Sequence, residues 1–182
     1  NAIVAEHLFN SHTVHHVFNA KTGERETMDT LLNGIHGLDW TQSLTNEWDR
    51  LGDGRLGKVK GTNTIQFIPQ ESVPVGRKVT YGNFVCDHRP LKTEPLRVRL
   101  TVGGDKLDYF GDASSPTTTL AEAKLLFNSV ISDAHKGAKF MSIDLKDHFL
   151  ASPMSQPHYM RIRWDQIPDD IKLRYNLQPL LH

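Results

Sequence analysis

The sequence predicts an α+β fold, and three observations on its 182 residues support that class. Apolar residues recur at helical spacing over 39–51 and over 120–136, which predicts two amphipathic helices. Between 62 and 102 the pattern changes to short β-rich runs, which predicts mixed or antiparallel strands. The apolar run 138–150 directly follows the second helix and contains the carboxylate Asp144. We therefore expect this helix to pack behind a buried Asp144 strand.

Composition restricts the class of protein. Hydrophobic residues make up 38% of the chain and charged residues 23%, which is ordinary for a globular protein and argues against general disorder. Cys86 is the only cysteine, so no intrachain disulfide can form, and we expect an intracellular, reducing compartment instead of secretion. The first ten residues lack the features of a signal peptide, and no apolar run approaches the roughly 20 residues that span a bilayer, so no membrane partner is expected.

Residues 1–37 are polar and rich in histidine and turn formers, which predicts a flexible leader or connection before a domain over 38–182. His12, His15 and His16 form a cluster that could bind zinc. No cysteine or further histidine follows at zinc-finger spacing, so a solvated leader is the preferred interpretation.

The helix over 39–51 presents a stripe of four large apolar residues: Trp40, Leu44, Trp48 and Leu51. Asp39 and Gln42 have the spacing of a capping box. We interpret the two tryptophans as core anchors and not as ligand-stacking groups. The second helix has its own capping box in Thr119 and Glu122, and Gly137 is placed to end it.

Strands are predicted at 64–68, 78–86, 96–102 and 159–164, and Pro168 predicts the start of a last short helix with Ile171 and Tyr175 directed inward.

Arg97 and Arg99 alternate with apolar residues in the strand 96–102, so their guanidinium groups are predicted to project side by side from one face. Two interpretations remain open: a solvated face with surface ion pairs, or a phosphate clamp, for which the arginine fork is well suited. The window 77–106 contains seven basic and three acidic residues, a net charge of +4 in a chain whose formal net charge is zero. It is therefore a candidate anion site.

Asp144 lies where an apolar run turns polar. A buried carboxylate is costly unless it is paired, and a divalent cation is the obvious partner. Asp147 could join Asp144 in metal binding or acid–base work, with His148 as a base, although one D-x-x-D is weak evidence. An aspartate at the end of a buried strand is nevertheless a common ligand position in magnesium-dependent phosphoryl transfer.

The order of these segments resembles the N-terminal half of the reverse transcriptase of copia-type LTR retrotransposons, over roughly Trp40 to Leu177. Several segments carry the resemblance: 40–47, 77–79 before 84–85, 97–104, Ser115-Pro116, 142–150, and Pro153-Met154 followed by Tyr159-Met160. The resemblance implies the fingers and partial palm of a right-hand polymerase, with the motif-A strand at Asp144. It also implies an intracellular protein, within virus-like particles.

The resemblance implies a role for particular residues near the metal. Asp144 matches the first catalytic aspartate, which binds both magnesium ions of the two-metal mechanism. Leu145 matches the position whose backbone carbonyl faces a metal, and Phe149 matches the aromatic steric gate under the sugar of the incoming nucleotide.

It also implies nucleotide-binding residues and partners. Arg99, with Arg97 or Lys92, matches the basic fingers residues that hold the triphosphate. The implied partners are an RNA or DNA template-primer, a deoxynucleoside triphosphate and the remaining domains of a polyprotein.

The sequence also departs from the family. Its aromatic-x-Asp-Asp motif is missing, and Asp169-Asp170 follows Pro168 at a helix start, where the helix dipole favours an acidic pair. Ser43 stands where the family commonly has alanine. The resemblance thus predicts a polymerase fragment that is inactive as this chain. The alternatives are a non-catalytic nucleic-acid-binding remnant and a decayed fragment whose exposed core favours self-association.

Overall fold

The computed structural model describes residues 17–19, 21–107, 117–148, 150 and 152–179. The helices within these ranges are α1 (Met28–Leu32), α2 (Gly37–Leu51), α3 (Leu120–Ser132) and α4 (Asp169–Arg174). The strands are β1 (Gly54–Arg55), β2 (Val59–Lys60), β3 (Val79–His88), β4 (Leu96–Val102) and β5 (Tyr159–Arg161). The described residues form two compact units, one within 1–107 and 153–182 and one within 108–152.

A three-stranded mixed sheet in the order β4-β3-β5 forms the centre of the first unit. β3 and β4 are antiparallel, with Asp87 opposite Arg97 and Val85 opposite Arg99. β5 runs parallel to β3, and β1 and β2 form a separate antiparallel pair. The predicted α+β class is therefore confirmed, as is the strand predicted at 96–102.

The core of the first unit lies between α2 and one face of this sheet. The buried residues of the core come from both helices and strands: Met28, Leu31, Trp40, Leu44, Trp48, Phe84, Cys86, Val98, Ile167 and Ile171. Trp48 stacks on Phe67 at a centroid distance of 5.3 Å, and its Nε1 donates a hydrogen bond to the carbonyl oxygen of Gln166 at 3.2 Å. The prediction that the tryptophans are core anchors is confirmed.

Two local predictions in the first unit are wrong. Helix α2 begins at Gly37 without a side-chain cap, and Gln42 donates a hydrogen bond to Asn46 instead of capping the helix with Asp39. Residues 64–68 form no strand, because the backbone N–H groups of Thr64 and Ile65 donate to the carbonyl oxygen of Leu51 at the end of α2. The segment thus crosses the helix end instead of joining a sheet.

Part of the predicted leader is also ordered against the core. The short helix α1 begins with a capping box formed by Thr27 and Thr30, and it buries Met28 and Leu31. The histidine cluster at 12–16 and the proposed steric gate Phe149 lie outside the described residues.

The second unit contains α3, which begins at the predicted capping box of Thr119 and Glu122. Gly137 has φ 86°, the left-handed conformation expected of a residue that ends a helix. The helix ends earlier than predicted, at Ser132, and a 3-10 turn follows over Ala134–Lys136.

The buried strand predicted around Asp144 is wrong. Residues 138–145 have no assigned strand, and Ile143 and Leu145 are 64% and 61% exposed. Phe140 does pack against Phe127 of α3, at a centroid distance of 4.8 Å. The described part of this unit holds no strand edge that could pair with the segment, and an apolar run without a ladder partner stays irregular.

Candidate anion-binding site

Strand β4 carries the two arginines that the alternation pattern singled out. Val98 is 2% exposed and faces the core, so Arg97 and Arg99 project from the opposite face of the sheet. Both side chains are half-buried. Neither guanidinium group makes a hydrogen bond or an ion pair with any residue that the structure describes. Within those residues, surface ion pairs therefore do not account for this pair of cations.

A third guanidinium group, that of Arg89, lies at the end of β3. The backbone N–H of Arg89 donates to the carbonyl oxygen of Pro95, so the strand pairing that sets Asp87 opposite Arg97 continues to this residue. Its Nη2 donates to the carbonyl oxygen of Glu94 at 3.2 Å. Its buried Nε lies 3.9 Å from Oδ2 of Asp87 and has no hydrogen-bond partner among the described residues. An added anion would satisfy such a donor.

The electrostatics of Arg97 report the concentration of positive charge here. Burial lowers the pKa of Arg97, and the guanidinium groups of Arg99 and Arg89 lower it further. The carboxylate of Glu47 raises this pKa and the guanidinium group of Arg50 lowers it. A cation whose charge is disfavoured by burial and by like charges is stabilised when an anion binds beside it.

Helix α2 supplies a second acidic member of this group, in addition to Asp87. Glu47 is 5% exposed and forms a two-point ion pair with Arg50, with Nε to Oε2 at 2.8 Å and Nη2 to Oε1 at 2.7 Å. Oε1 of Glu47 also accepts a hydrogen bond from the backbone N–H of Leu100, at 3.0 Å. One turn earlier in α2, Ser43 bonds to the same edge of β4.

Other cations of the basic window are held by neighbouring side chains. Arg77 donates to Oε1 of Gln156 at 2.8 Å, and its guanidinium carbon lies 5.6 Å from the ring centroid of Tyr159. The ammonium group of Lys106 lies 5.3 Å from the ring centroid of Tyr81. The candidate site is therefore narrower than the window 77–106.

Lys92, the third cation that the resemblance singled out, is exposed in the turn between β3 and β4. Its backbone N–H donates to the carbonyl oxygen of Arg89 at 2.9 Å, which ties the turn to the arginine cluster. The cluster of Arg89, Arg97 and Arg99 thus provides planar, permanently charged forks that match the oxygen geometry of a phosphate or carboxylate.

Asp144 and Leu145 belong to the second unit, and both are exposed. The carboxylate of Asp144 therefore needs no cation to offset burial of its charge. Asp147, three residues on, has φ 56° within the turn over 146–148. No cluster of three or more His, Cys, Asp or Glu side chains that could hold a metal is found in the described ranges.

Asp169 and Asp170 lie in the first turn of α4, which confirms that they form a helix-terminal acidic pair. Asp170 Oδ2 pairs with Arg55 Nη2 at 2.6 Å, and Asp169 Oδ1 pairs with Lys172 Nζ at 2.8 Å. Both carboxylates are thus neutralised by neighbouring cations.

Sequence reasoning missed Glu47 and Arg50, and it assigned Arg89 no role beyond its charge. The three-residue spacing of Glu47 and Arg50 indicates an ion pair on one helix face. Nothing in the sequence pattern indicates that this pair lies against strand β4, more than 50 residues later.

Comparison of the chain with models of protein families, with curated proteins and with solved structures gave no match. Among the described helices, none is long and apolar enough to cross a bilayer.

Proposed function

We propose that this chain binds nucleotide or nucleic-acid phosphates through the cluster of Arg89, Arg97 and Arg99, as the fingers and partial palm of a retrotransposon-type RNA-directed DNA polymerase. The observation that carries the binding is the placement of Arg97 and Arg99 on one sheet face, where neither guanidinium group makes a hydrogen bond or an ion pair with a described residue. The sequence resemblance over roughly 40–177 supports the polymerase assignment.

Catalysis requires more than these residues supply. In the polymerase assignment, Asp144 and the carbonyl of Leu145 are ligands of magnesium, which would stabilise charge on the transferring phosphate. One exposed carboxylate does not make a two-magnesium site, so the described residues do not fit a pair of magnesium ions. We therefore assign phosphate binding to this chain, and nucleotidyl transfer only to a polypeptide that supplies the other carboxylates.

Binding is tested by fluorescence anisotropy with a labelled single-stranded oligonucleotide across a salt titration. The double variant Arg97→Gln, Arg99→Gln should lose affinity on the order of tenfold or more, and the slope of log K against log salt should fall by about 1.4, or about 0.7 per cation. Lys21→Gln, which removes an exposed charge in a turn outside the cluster, is the matched control. An unchanged slope in the double variant would refute the assignment.

The polymerase assignment has its own test. In a longer polypeptide that contains all three catalytic carboxylates, Asp144→Asn should abolish primer extension while oligonucleotide binding persists. Undiminished extension would refute the role of Asp144.

A non-catalytic nucleic-acid-binding protein is the second candidate. The exposure of Asp144, without further carboxylates gathered around it in the described ranges, favours this candidate. It predicts the same salt-dependent binding, with no effect of magnesium or of Asp144→Asn on affinity.

A further inference from the structure

Glu47 is a buried carboxylate that two separate groups compensate. Arg50 pairs with both of its oxygens, at 2.7 and 2.8 Å, and the backbone N–H of Leu100 donates to Oε1 at 3.0 Å. A carboxylate that is 5% exposed needs such partners, because burial disfavours its charge. Glu47 is therefore held at one place, against the edge of β4.

That place lies beside the anion-binding cluster. Leu100 is the neighbour of Arg99 in β4, so Glu47 is fixed to the same strand that carries Arg97 and Arg99. The charges of Glu47 and Arg50 act on Arg97 in opposite directions. As a pair they leave the net charge near the cluster unchanged, whereas removal of either one alone would change it by one unit.

From this geometry we propose that Glu47 is a positioning residue that cancels the charge of Arg50 and so keeps Arg50 from adding to the positive charge of the arginine cluster. The inference deepens the proposed function and rests on it, because the ligand is the same phosphate-bearing polyanion. Glu47 touches strand β4 and Arg50, and it acts on the ligand only through them. Because Arg50 is paired with Glu47, the positive charge that the ligand meets comes from the arginine cluster and not from Arg50.

The proposal predicts effects of opposite sign for the two members of the pair. Glu47→Gln keeps an oxygen that can accept the N–H of Leu100 but removes the negative charge, so binding should tighten about threefold or more at low salt. Arg50→Gln leaves the negative charge of Glu47 beside Arg97, so binding should weaken by a similar factor. In the double variant Glu47→Gln, Arg50→Gln, both charges are absent, and the affinity should return close to that of the wild type.

The experiment measures binding of a labelled single-stranded oligonucleotide and of inorganic tripolyphosphate by the whole chain. Binding is measured at about 20 mM salt, where charge effects are strong, and at about 500 mM salt, where they are screened. Thermal unfolding of each variant identifies any loss of fold. A purely structural role for the pair predicts that both single variants weaken binding, which would overturn the proposal.

Different binding results refute the role of Glu47 and the binding of phosphate. If the wild type binds and the two single variants shift in the same direction, only the role of Glu47 is refuted. If only Glu47→Gln binds, the charge-setting role is supported and phosphate binding by the natural chain is refuted. If neither the wild type nor Glu47→Gln binds either anion at low salt, both proposals are overturned.

Discussion

The hydroxyl group of Ser43 accepts a hydrogen bond from the backbone N–H of Val98, at 2.9 Å. The same hydroxyl group donates to the carbonyl oxygen of Leu96 at 3.1 Å, and Glu47 accepts from Leu100 one step further along. Among the described strands, β4 lies at the edge of its sheet, so these side chains of α2 satisfy backbone groups that no described strand pairs with. The helix thereby closes the sheet edge next to the arginine cluster.

Ser43→Ala should lower the free energy of unfolding by about 1–2 kcal/mol, because it leaves a half-buried N–H and a carbonyl without partners. Urea unfolding followed by tryptophan fluorescence measures this loss. Ser155→Ala, at an exposed position, is the control and should change stability by less than about 0.5 kcal/mol. Equal stability of the two variants would contradict the role of Ser43.

Asp49→Ala should be more destabilising than any exposed acidic substitution. Asp49 is 0% exposed and pairs with Arg55 Nε at 2.9 Å and with Arg174 Nη2 at 2.7 Å, which joins α2 to the β1–β2 pair and to α4. Removal of the carboxylate leaves Arg55 and Arg174 with only the more exposed carboxylates of Asp170 and Asp53, at a cost of about 3 kcal/mol. Asp169→Ala removes an exposed carboxylate with a single ion pair and should cost less than about 1 kcal/mol. Similar losses in urea unfolding would be inconsistent with this difference.

Asp53 and Tyr175 should limit stability at both ends of the pH range. The phenol of Tyr175 donates a hydrogen bond to Asp53, which lowers the pKa of Asp53. Burial and the same hydrogen bond raise the pKa of Tyr175. The Asp53 contribution is therefore present above about pH 4 and is lost as the pH falls through the folded-state pKa. The Tyr175 contribution is present below about pH 10 and is lost as the pH rises through its folded-state pKa.

Tyr175→Phe keeps the ring contact with Phe67, at 5.0 Å. It removes the hydrogen bond to the Asp53 carboxylate and the one that the phenol oxygen accepts from the backbone N–H of Asp53. The difference in unfolding free energy between the wild type and this variant should be largest near neutral pH and should narrow at both extremes. A difference that stays constant from pH 2.5 to 11 would show that the hydrogen bond does not couple to titration.

Cys86 should report global unfolding. The thiol is buried in the core beside Met28, and burial raises its pKa to about 12. At pH 8 the native protein should therefore resist iodoacetamide, whereas the protein in concentrated urea should react like an ordinary thiol. Modification at the same rate in both conditions would contradict the burial of this side chain.

Local patterns predicted several elements with their caps. The strict alternation around Val98 predicted β4 to the residue, and the Thr119 capping box predicted the start of α3. Both patterns can be recognised within a few residues of the chain. The direction of a side chain in a strand and the capping of the first N–H groups of a helix depend only on residues close in sequence. The capping box predicted from Asp39 and Gln42 does not form, because Gln42 donates a different local hydrogen bond, to Asn46.

The run around Ile143 shows the limit of pattern reasoning. Its apolar residues have the composition of a buried strand, but a strand also requires an adjacent edge with open N–H and C=O groups. The described part of the second unit offers none, so the prediction of a buried Asp144 fails together with the cost argument for a metal.

The sequence by itself determined the α+β class, the two long helices and the direction in which Arg97 and Arg99 project, because each depends on periodicity along the chain. Only the tertiary structure decided that Glu47 and Ser43 close the edge of β4, that Arg89 joins the arginines of that strand, and that Asp144 is exposed. A residue pattern records which face of an element is apolar. It does not record which element lies opposite, since that contact is chosen by packing between segments that are distant in sequence.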